Sequence, residues 1–293
     1  MVARLQVAAI SDAGRLRSLN EDRFYFKYVQ SSDEEPIGLF IVSDGLGGYL
    51  AGEVASHWAI ETVKRETTDL FRPVDLSETR RVRLPDLWDA DRADDRSTNI
   101  HPTNTETYHL LSHVISRANE VLLSYAQQKP REAGGMGATI VVCIIQDGLA
   151  TIGSLGDSRA YLWRQNRLHQ ITTDHTIPGE LAARGHLSPD KIPLHPQRHV
   201  LQRCLGRHVL AEPDIFRPIK LEANDRLLLC TDGLWNMVWP NRRLGEIMAQ
   251  EPTAERLAHR LIEEANAAGG DDNITVLVID VTVEPTRGQR DPH

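Results

Sequence analysis

Apolar runs that stop at aspartate constrain this chain more than any other feature. "LFIVSDG" ends on Asp44 and Gly45, and "RLLLCTDG" ends on Asp232 and Gly233. "ATIGSLGDS" reaches Asp157 just past its last apolar residue, and "GGDDNITVLVI" sets Asp271 and Asp272 just ahead of a run. "NED" adds Glu21 and Asp22 ahead of the run Phe24–Val29. Short runs rich in Val and Ile, bounded by Gly, Asp or Asn, read as strands. The chain must therefore fold so that several strand ends carry acids. One Asp-Gly is an ordinary turn, and one Asp after a strand is an ordinary helix cap. Their recurrence asks for a shared cause.

The remaining pattern predicts an α+β fold. Strand-like runs occupy Leu5–Ile10, Ile37–Ser43, Thr139–Ile145, Ala150–Leu155, Ala160–Trp163, Arg226–Cys230 and Ile274–Val281. "QDG" at Gln146–Gly148 predicts a hairpin turn, and "RQNR" at Arg164–Arg167 separates two further runs. Helical spacing appears three times, in Ala51, Val54, Ala55, Trp58, Ala59 and Val63, in Leu111–Tyr125, and in Leu257, Leu261, Ile262 and Ala265. Strands cluster instead of alternating with helices, so antiparallel sheets covered by helices are expected, not a doubly wound parallel sheet. One domain is expected over residues 1–283, with a flexible tail at 284–293. The charged stretch 69–105 reads as an insertion. Residues 174–206, with prolines at 178, 189, 193 and 196, read as an irregular flap with short helices.

Bulk properties narrow the functional classes. A hydrophobic fraction of 41% supports a real core, and a net charge of −8 disfavours nucleic acid as a partner. No run is long enough to span a membrane. The N-terminal "MVARLQVAAI" reads as a first strand, not a secretory signal. Cys143, Cys204 and Cys230 lack metal-binding spacing, and a reducing cytoplasm is the expected setting.

If the strand ends converge, their carboxylates repel one another by several kcal/mol in a poorly hydrated site. Protons or cations must then compensate. Oxygen donors without His or Cys select hard ions such as Mg²⁺ or Mn²⁺. Two such ions about 3.5–4 Å apart form a hydrolytic centre for phosphate esters. An arginine is expected for the remaining phosphoryl oxygens, and Arg17 stands four residues before Glu21.

Six ordered blocks together carry a family resemblance. They are "GRLRSLNEDRF" (Gly14–Phe24), "SDGLGGYLAGEVAS" (Ser43–Ser56), "GATIVVCII" (Gly137–Ile145), "GDSRAYLWR" (Gly156–Arg164), "LLLCTDGLWNMV" (Leu227–Val238) and "GGDDNITVLVIDV" (Gly269–Val281). The chain resembles the metal-dependent type 2C Ser/Thr protein phosphatases, bacterial branch. The resemblance implies a β-sandwich of two antiparallel sheets flanked by helices, four layers in all. It implies that Asp44 bridges two metals and that the Gly45 carbonyl binds one. Asp232 and Asp272 would complete the first ion's shell, Glu21 would hold the second with support from Asp22, and Asp157 would help bind a weaker third. Arg17 would grip the substrate phosphate, so Arg17 and Asp44 are the catalytic candidates. Asp271 has no counterpart and reads as a solvated turn residue.

There are departures. Leu46 stands where some members carry a histidine proposed as general acid. That leaves the proton donor unassigned, with a metal-bound water or a flap histidine (His175, His195 or His199) as candidates. The flap has His199, Gln202 and Cys204 where Asn, Thr and Ala are expected. The implied function is Mn²⁺- or Mg²⁺-dependent hydrolysis of phosphoserine and phosphothreonine in proteins, without a covalent intermediate. A silent phosphoprotein-binding regulator and a phosphodiesterase are the alternatives. The expected partners are kinase-phosphorylated proteins, with no nucleic acid and no membrane, and the expected assembly is a monomer.

Overall fold

The computed structural model describes residues 2–47, 51–72, 102–207, 209 and 211–284. The first part of the chain runs β1 (Val2–Asp12), β2 (Arg23–Val29), β3 (Ile37–Ser43), β4 (Gly45–Leu46), α1 (Ala51–Glu66), α2 (Pro102–Gln128) and α3 (Pro130–Ala133). The middle supplies β5 (Gly137–Ala138), β6 (Ile140–Gln146), β7 (Leu149–Leu155), β8 (Arg159–Arg164), β9 (Arg167–Gln170) and α4 (Ile177–Ala183). The last part supplies β10 (Asp214–Ile215), β11 (Ile219–Lys220), β12 (Arg226–Cys230), α5 (Asp232–Trp235), α6 (Asn241–Gln250), α7 (Ala254–Ala267) and β13 (Ile274–Glu284).

Two antiparallel sheets result. One has the order β1-β13-β12-β8-β9, and the other β10-β7-β6-β3-β2 with β11 also on β7. Side chains alternate across each strand. Phe40 and Val42 of β3 meet Leu227 and Leu229 of β12 and Leu277 and Ile279 of β13 in the core between the sheets. Leu39 and Ile41 point the other way, into a layer with Ala55, Ala59 and Val63 of α1 and Leu111, Ile115 and Ala118 of α2. On the far side, Leu228, Val276 and Val278 pack on Leu244 and Ile247 of α6 and Leu257 and Leu261 of α7. Helices therefore cover both sheets, in the expected four layers. Burial on both faces explains why these antiparallel strands read as unbroken apolar runs.

The turns follow from local chemistry. Asp147 and Gly148 both take positive φ (53° and 71°), as the tight β6–β7 hairpin requires. The flap carries α4, whose Thr176 hydroxyl accepts the Gly179 N–H, and a 3₁₀ turn at Pro189–Leu194. Two boundaries differ from expectation. Helix α2 starts at Pro102 and takes in the last residues of the expected insertion; residues 73–101 of that insertion lie outside the described residues. Of the expected tail, Glu284 closes β13 and the rest lies outside the described residues. Among the described residues, no helix is long and apolar enough to cross a membrane.

Candidate metal centre

Antiparallel pairing is what gathers the acids. Arg23 pairs with Ser43, so Asp22 at the start of β2 lies beside Asp44 at the end of β3. Ile140 pairs with Leu155, which sets Asp157 beside Thr139. Cys230 pairs with Val276, which brings Asp232 toward Asp272. All three junctions open at one end of the sandwich, into a cavity of about 280 Å³. Arg17, Glu21, Asp44, Gly45, Asp157, Asp232 and Asp272 line it. Of the predicted site residues, Asp22 alone lies beneath the cavity, buried against Thr231.

Hydroxyls and amides hold the acids from behind. Thr139 Oγ1 accepts the Asp44 N–H at 3.1 Å, and the Asp44 carbonyl accepts the Thr139 N–H at 2.9 Å. Thr231 Oγ1 donates to Asp22 Oδ2 at 2.8 Å. Trp235 Nε1 donates to the Asp157 carbonyl at 3.0 Å, and Asn236 Nδ2 to Asp232 Oδ2 at 3.1 Å. Glycine is required at 45, because a Cβ there would sit 2.0 Å from the Gly52 carbonyl oxygen.

The electrostatics are those of a site short of positive charge. Asp44 keeps some accessible surface because it faces the cavity, while protein encloses its other sides. That enclosure pushes its carboxyl well above the usual range, and Asp22, Asp232, Asp157 and Asp272 push it further. Burial does the same to Asp157, with Asp232 and Asp174 adding to it and Arg159 opposing it. Asp22 is pushed up to about 7 by burial, against hydrogen bonds from Thr275 and Thr231. Glu21 and Asp272 are also raised by burial, and Arg17 partly offsets both. Arg17 Nη2 donates to Asp272 Oδ2 at 2.8 Å, with its side chain about half exposed at 52%.

A divalent ion fits this donor set. Glu21 Oε1, Asp22 Oδ1 and Asp232 Oδ1 are buried without a hydrogen-bond partner. Buried carboxylate oxygens ordinarily find one. Among the described residues, no three acidic, histidine or cysteine side chains stand so placed that they alone could hold an ion. An ion held here would keep part of its water, as Mg²⁺ usually does.

Sequence reasoning passed over Asn273, which organises the Arg17 loop. Its Oδ1 accepts the Glu21 N–H at 2.8 Å, while its Nδ2 donates to the Ala13 and Leu19 carbonyls. The signal was an Asn directly after Asp272 at the start of a strand. The flap histidines separate. His199 lines the cavity, with Nδ1 3.8 Å from Asp232 Oδ2. His175 Nδ1 instead accepts the Gly156 N–H, and its Nε2 lies 3.1 Å from Asp214, so it ties the flap root to β10 and is no proton donor to the cavity. His195 Nδ1 accepts the Gln197 N–H and lies off the cavity lining. Asp271 is exposed and off the cavity lining, in keeping with a solvated turn residue.

This four-layer sandwich with an acidic end defines a class, and comparison with known proteins gives the same one. The profile of the protein phosphatase 2C family matches residues 15–267. The chain belongs to that family. It is 34% identical over 270 residues to the serine/threonine phosphatase Stp of Listeria monocytogenes, covering 92% of this chain and 93% of that one. It is 31% identical over 280 residues to the protein phosphatase PhpP of Streptococcus pneumoniae, covering 96% and 99%. Among solved structures it resembles the serine/threonine phosphatase PstP of Mycobacterium tuberculosis, with a TM-score of 0.72, 30% identity, and coverage of 95% and 99%. The PstP catalytic domain in complex with 2 manganese ions matches with a TM-score of 0.70 at 29% identity, covering 96% and 100%.

Proposed function

We propose that this chain is a metal-dependent protein phosphatase that hydrolyses phosphoserine and phosphothreonine. The observation that carries the reading is the meeting of five acids and Arg17 around one cavity, within the fold of a family whose named members are serine/threonine phosphatases. Asp44, the Gly45 carbonyl, Asp232 and Asp272 would hold one Mn²⁺ or Mg²⁺. Asp44 and Glu21 would hold the second, with Asp22 supporting Glu21 from below. Asp157 and Asp232 would hold a weaker third. When bound, the ions supply positive charge for the phosphoryl oxygens and acidify water.

The chain's own residues do the rest. Arg17 stands at the cavity with a fork matched to phosphate, and a substrate phosphate would displace its bond to Asp272. Thr139 fixes the Asp44 backbone, and Thr231 and Asn236 fix the Asp22 and Asp232 carboxylates, so that substrate entry demands little rearrangement. No cysteine competes as nucleophile. All three are buried free thiols, and burial pushes Cys143 to about 12 and Cys204 to about 11. The free thiols also support a reducing, cytoplasmic setting. Residues 1–283 would act as one catalytic domain, as a monomer on phosphorylated proteins.

The test compares a phosphothreonine peptide with bis(p-nitrophenyl) phosphate, a diester, in Mn²⁺ and in EDTA. The expected result is Mn²⁺-dependent release of phosphate from the peptide alone. A folded, Mn²⁺-loaded sample that turns over neither substrate supports the silent regulator and removes the proposal. Preference for the diester supports a phosphodiesterase instead.

A further inference from the structure

The mouth of the cavity carries a feature that phosphate chemistry does not need. Among the described residues, eight large hydrophobic side chains are exposed, and three of them belong to the two segments that carry Arg17, His199 and Leu201 to this opening. Leu16 (72% exposed) and Leu19 (47%) flank Arg17, while Val200 (46%) lies between His199 and Leu201, both of which line the cavity. Leu46 and Leu201 stand on the cavity wall itself. Single exposed leucines are ordinary, but apolar groups collected around one opening mark a place where something binds.

The backbone that carries these side chains is held in place. The Leu16 N–H donates to the Gly270 carbonyl at 3.3 Å, and the Leu19 carbonyl accepts from Asn273 Nδ2 at 2.8 Å. Across the mouth, the Val200 N–H donates to Gln197 and its carbonyl accepts the Ile177 N–H at 3.4 Å. A rim fixed before binding loses little freedom when a ligand covers it.

We propose that this rim selects phosphopeptides with apolar side chains close to the phosphorylated residue, Leu16 and Leu19 receiving one flank and Val200 the other. The inference rests on the phosphatase reading and names its substrate class. The phosphoresidue enters the cavity, and Arg17 takes its charge. An extended peptide advances about 3.3 Å per residue, so side chains within three positions of the phosphate stay within about 10 Å of it. Apolar flanks lose water against the leucines and valine. Asp and Ser flanks bury no comparable apolar surface there.

The test measures kcat/KM with Mn²⁺ for two phosphothreonine peptides that differ only in their flanks, Leu/Val against Asp/Ser, with p-nitrophenyl phosphate as a flankless control. The wild type should prefer the apolar peptide by about tenfold, the effect of about 1.4 kcal/mol from partly burying one or two such side chains. The double variant Leu16→Ser/Leu19→Ser, and separately Val200→Ser, should each reduce that preference. Hydrolysis of the flankless control should continue. Turnover of the control without any peptide preference, or a preference that survives both variants, overturns the rim and leaves the phosphatase reading intact. Turnover of nothing overturns both. Sedimentation supplies a further arm. If both variants dissolve a wild-type dimer without altering peptide preference, the rim joins two copies of this chain and the inference fails.

Discussion

Arg159 and Asp174 lie buried beside the acidic cavity, and the two places treat charge in opposite ways. Arg159 is 3% exposed and Asp174 not at all. Arg159 Nε and Nη2 meet the two Asp174 oxygens at 2.8 and 2.6 Å, and Nη1 donates to the Tyr161 hydroxyl at 2.9 Å. The guanidinium also lies 3.6 Å from the Trp235 ring centroid. Burial alone works against its charge, but Asp174 more than restores it and raises its pKa. Every charge here has a partner within the chain. In and beneath the cavity, Asp44, Asp157 and Asp22 share raised pKa values, and oxygens of Glu21, Asp22 and Asp232 lack hydrogen-bond partners. A structural ion pair is complete on folding, whereas a catalytic cluster is left short of cations so that it can take them up.

The largest expected effect breaks the first region. Arg159→Leu leaves Asp174 buried without a counter-charge, and should cost about 3–5 kcal/mol in urea denaturation. Asp44→Asn should do the reverse in metal-free protein, leaving stability unchanged or higher because it removes a carboxyl that folding must either protonate or leave without a counter-charge. The same variant should lower Mn²⁺-dependent turnover by at least about a hundredfold, since it removes a proposed bridging ligand. Equal loss of metal-free stability in the two variants would erase the contrast.

The two regions also differ in how they titrate. Asp22 stands near 7 in the folded chain against an ordinary 3.8. The folded state therefore holds a proton that the unfolded state has released. The stability from this group is full below about pH 4 and is lost as pH rises toward 7. Asp44, Asp157, Glu21 and Asp272 shift the same way. Asp214 behaves oppositely. Burial raises it, but hydrogen bonds from His175 and Arg203 bring it down to about 2. Its stabilisation is present above about pH 4 and is lost as pH falls toward 2. Calorimetry should show Mn²⁺ raising Tm more at pH 7.5 than at pH 5. An equal rise at both would detach the metal from the carboxylates. The smallest effect belongs to Arg17→Ala, whose guanidinium is half exposed. It should raise KM for a phosphothreonine peptide by about tenfold with less change in kcat.

Much of this was legible in the residues, and the gaps have physical causes. Strands β3 and β12 match their apolar runs residue for residue, because burial on both faces leaves no polar position inside them. The six blocks pointed to the acids that now share one cavity. Helix α6 was not read, although Leu244, Ile247 and Met248 have helical spacing; its Asn-Arg-Arg start and central Gly245 obscured the signal. Strands β10 and β11 are two residues each, too short to show a period. The backing hydroxyls of Thr139, Thr231 and Thr275 and the amide of Asn273 were invisible for another reason. Their roles depend on partners far along the chain, such as Thr231 reaching Asp22 across 209 positions. The flap histidines differ in the same way: only contacts separate His199 at the cavity from His175 on Asp214.

The central claim is that these strand-end carboxylates take up a pair of divalent ions. Crystals grown with Mn²⁺, with anomalous scattering recorded at the manganese edge, test it most directly. Two strong peaks are expected in the cavity, both touching Asp44, one also touching Asp232 and Asp272 and the other lying toward Glu21. An empty cavity at saturating Mn²⁺, or manganese bound only at sites that touch none of these residues, would contradict it.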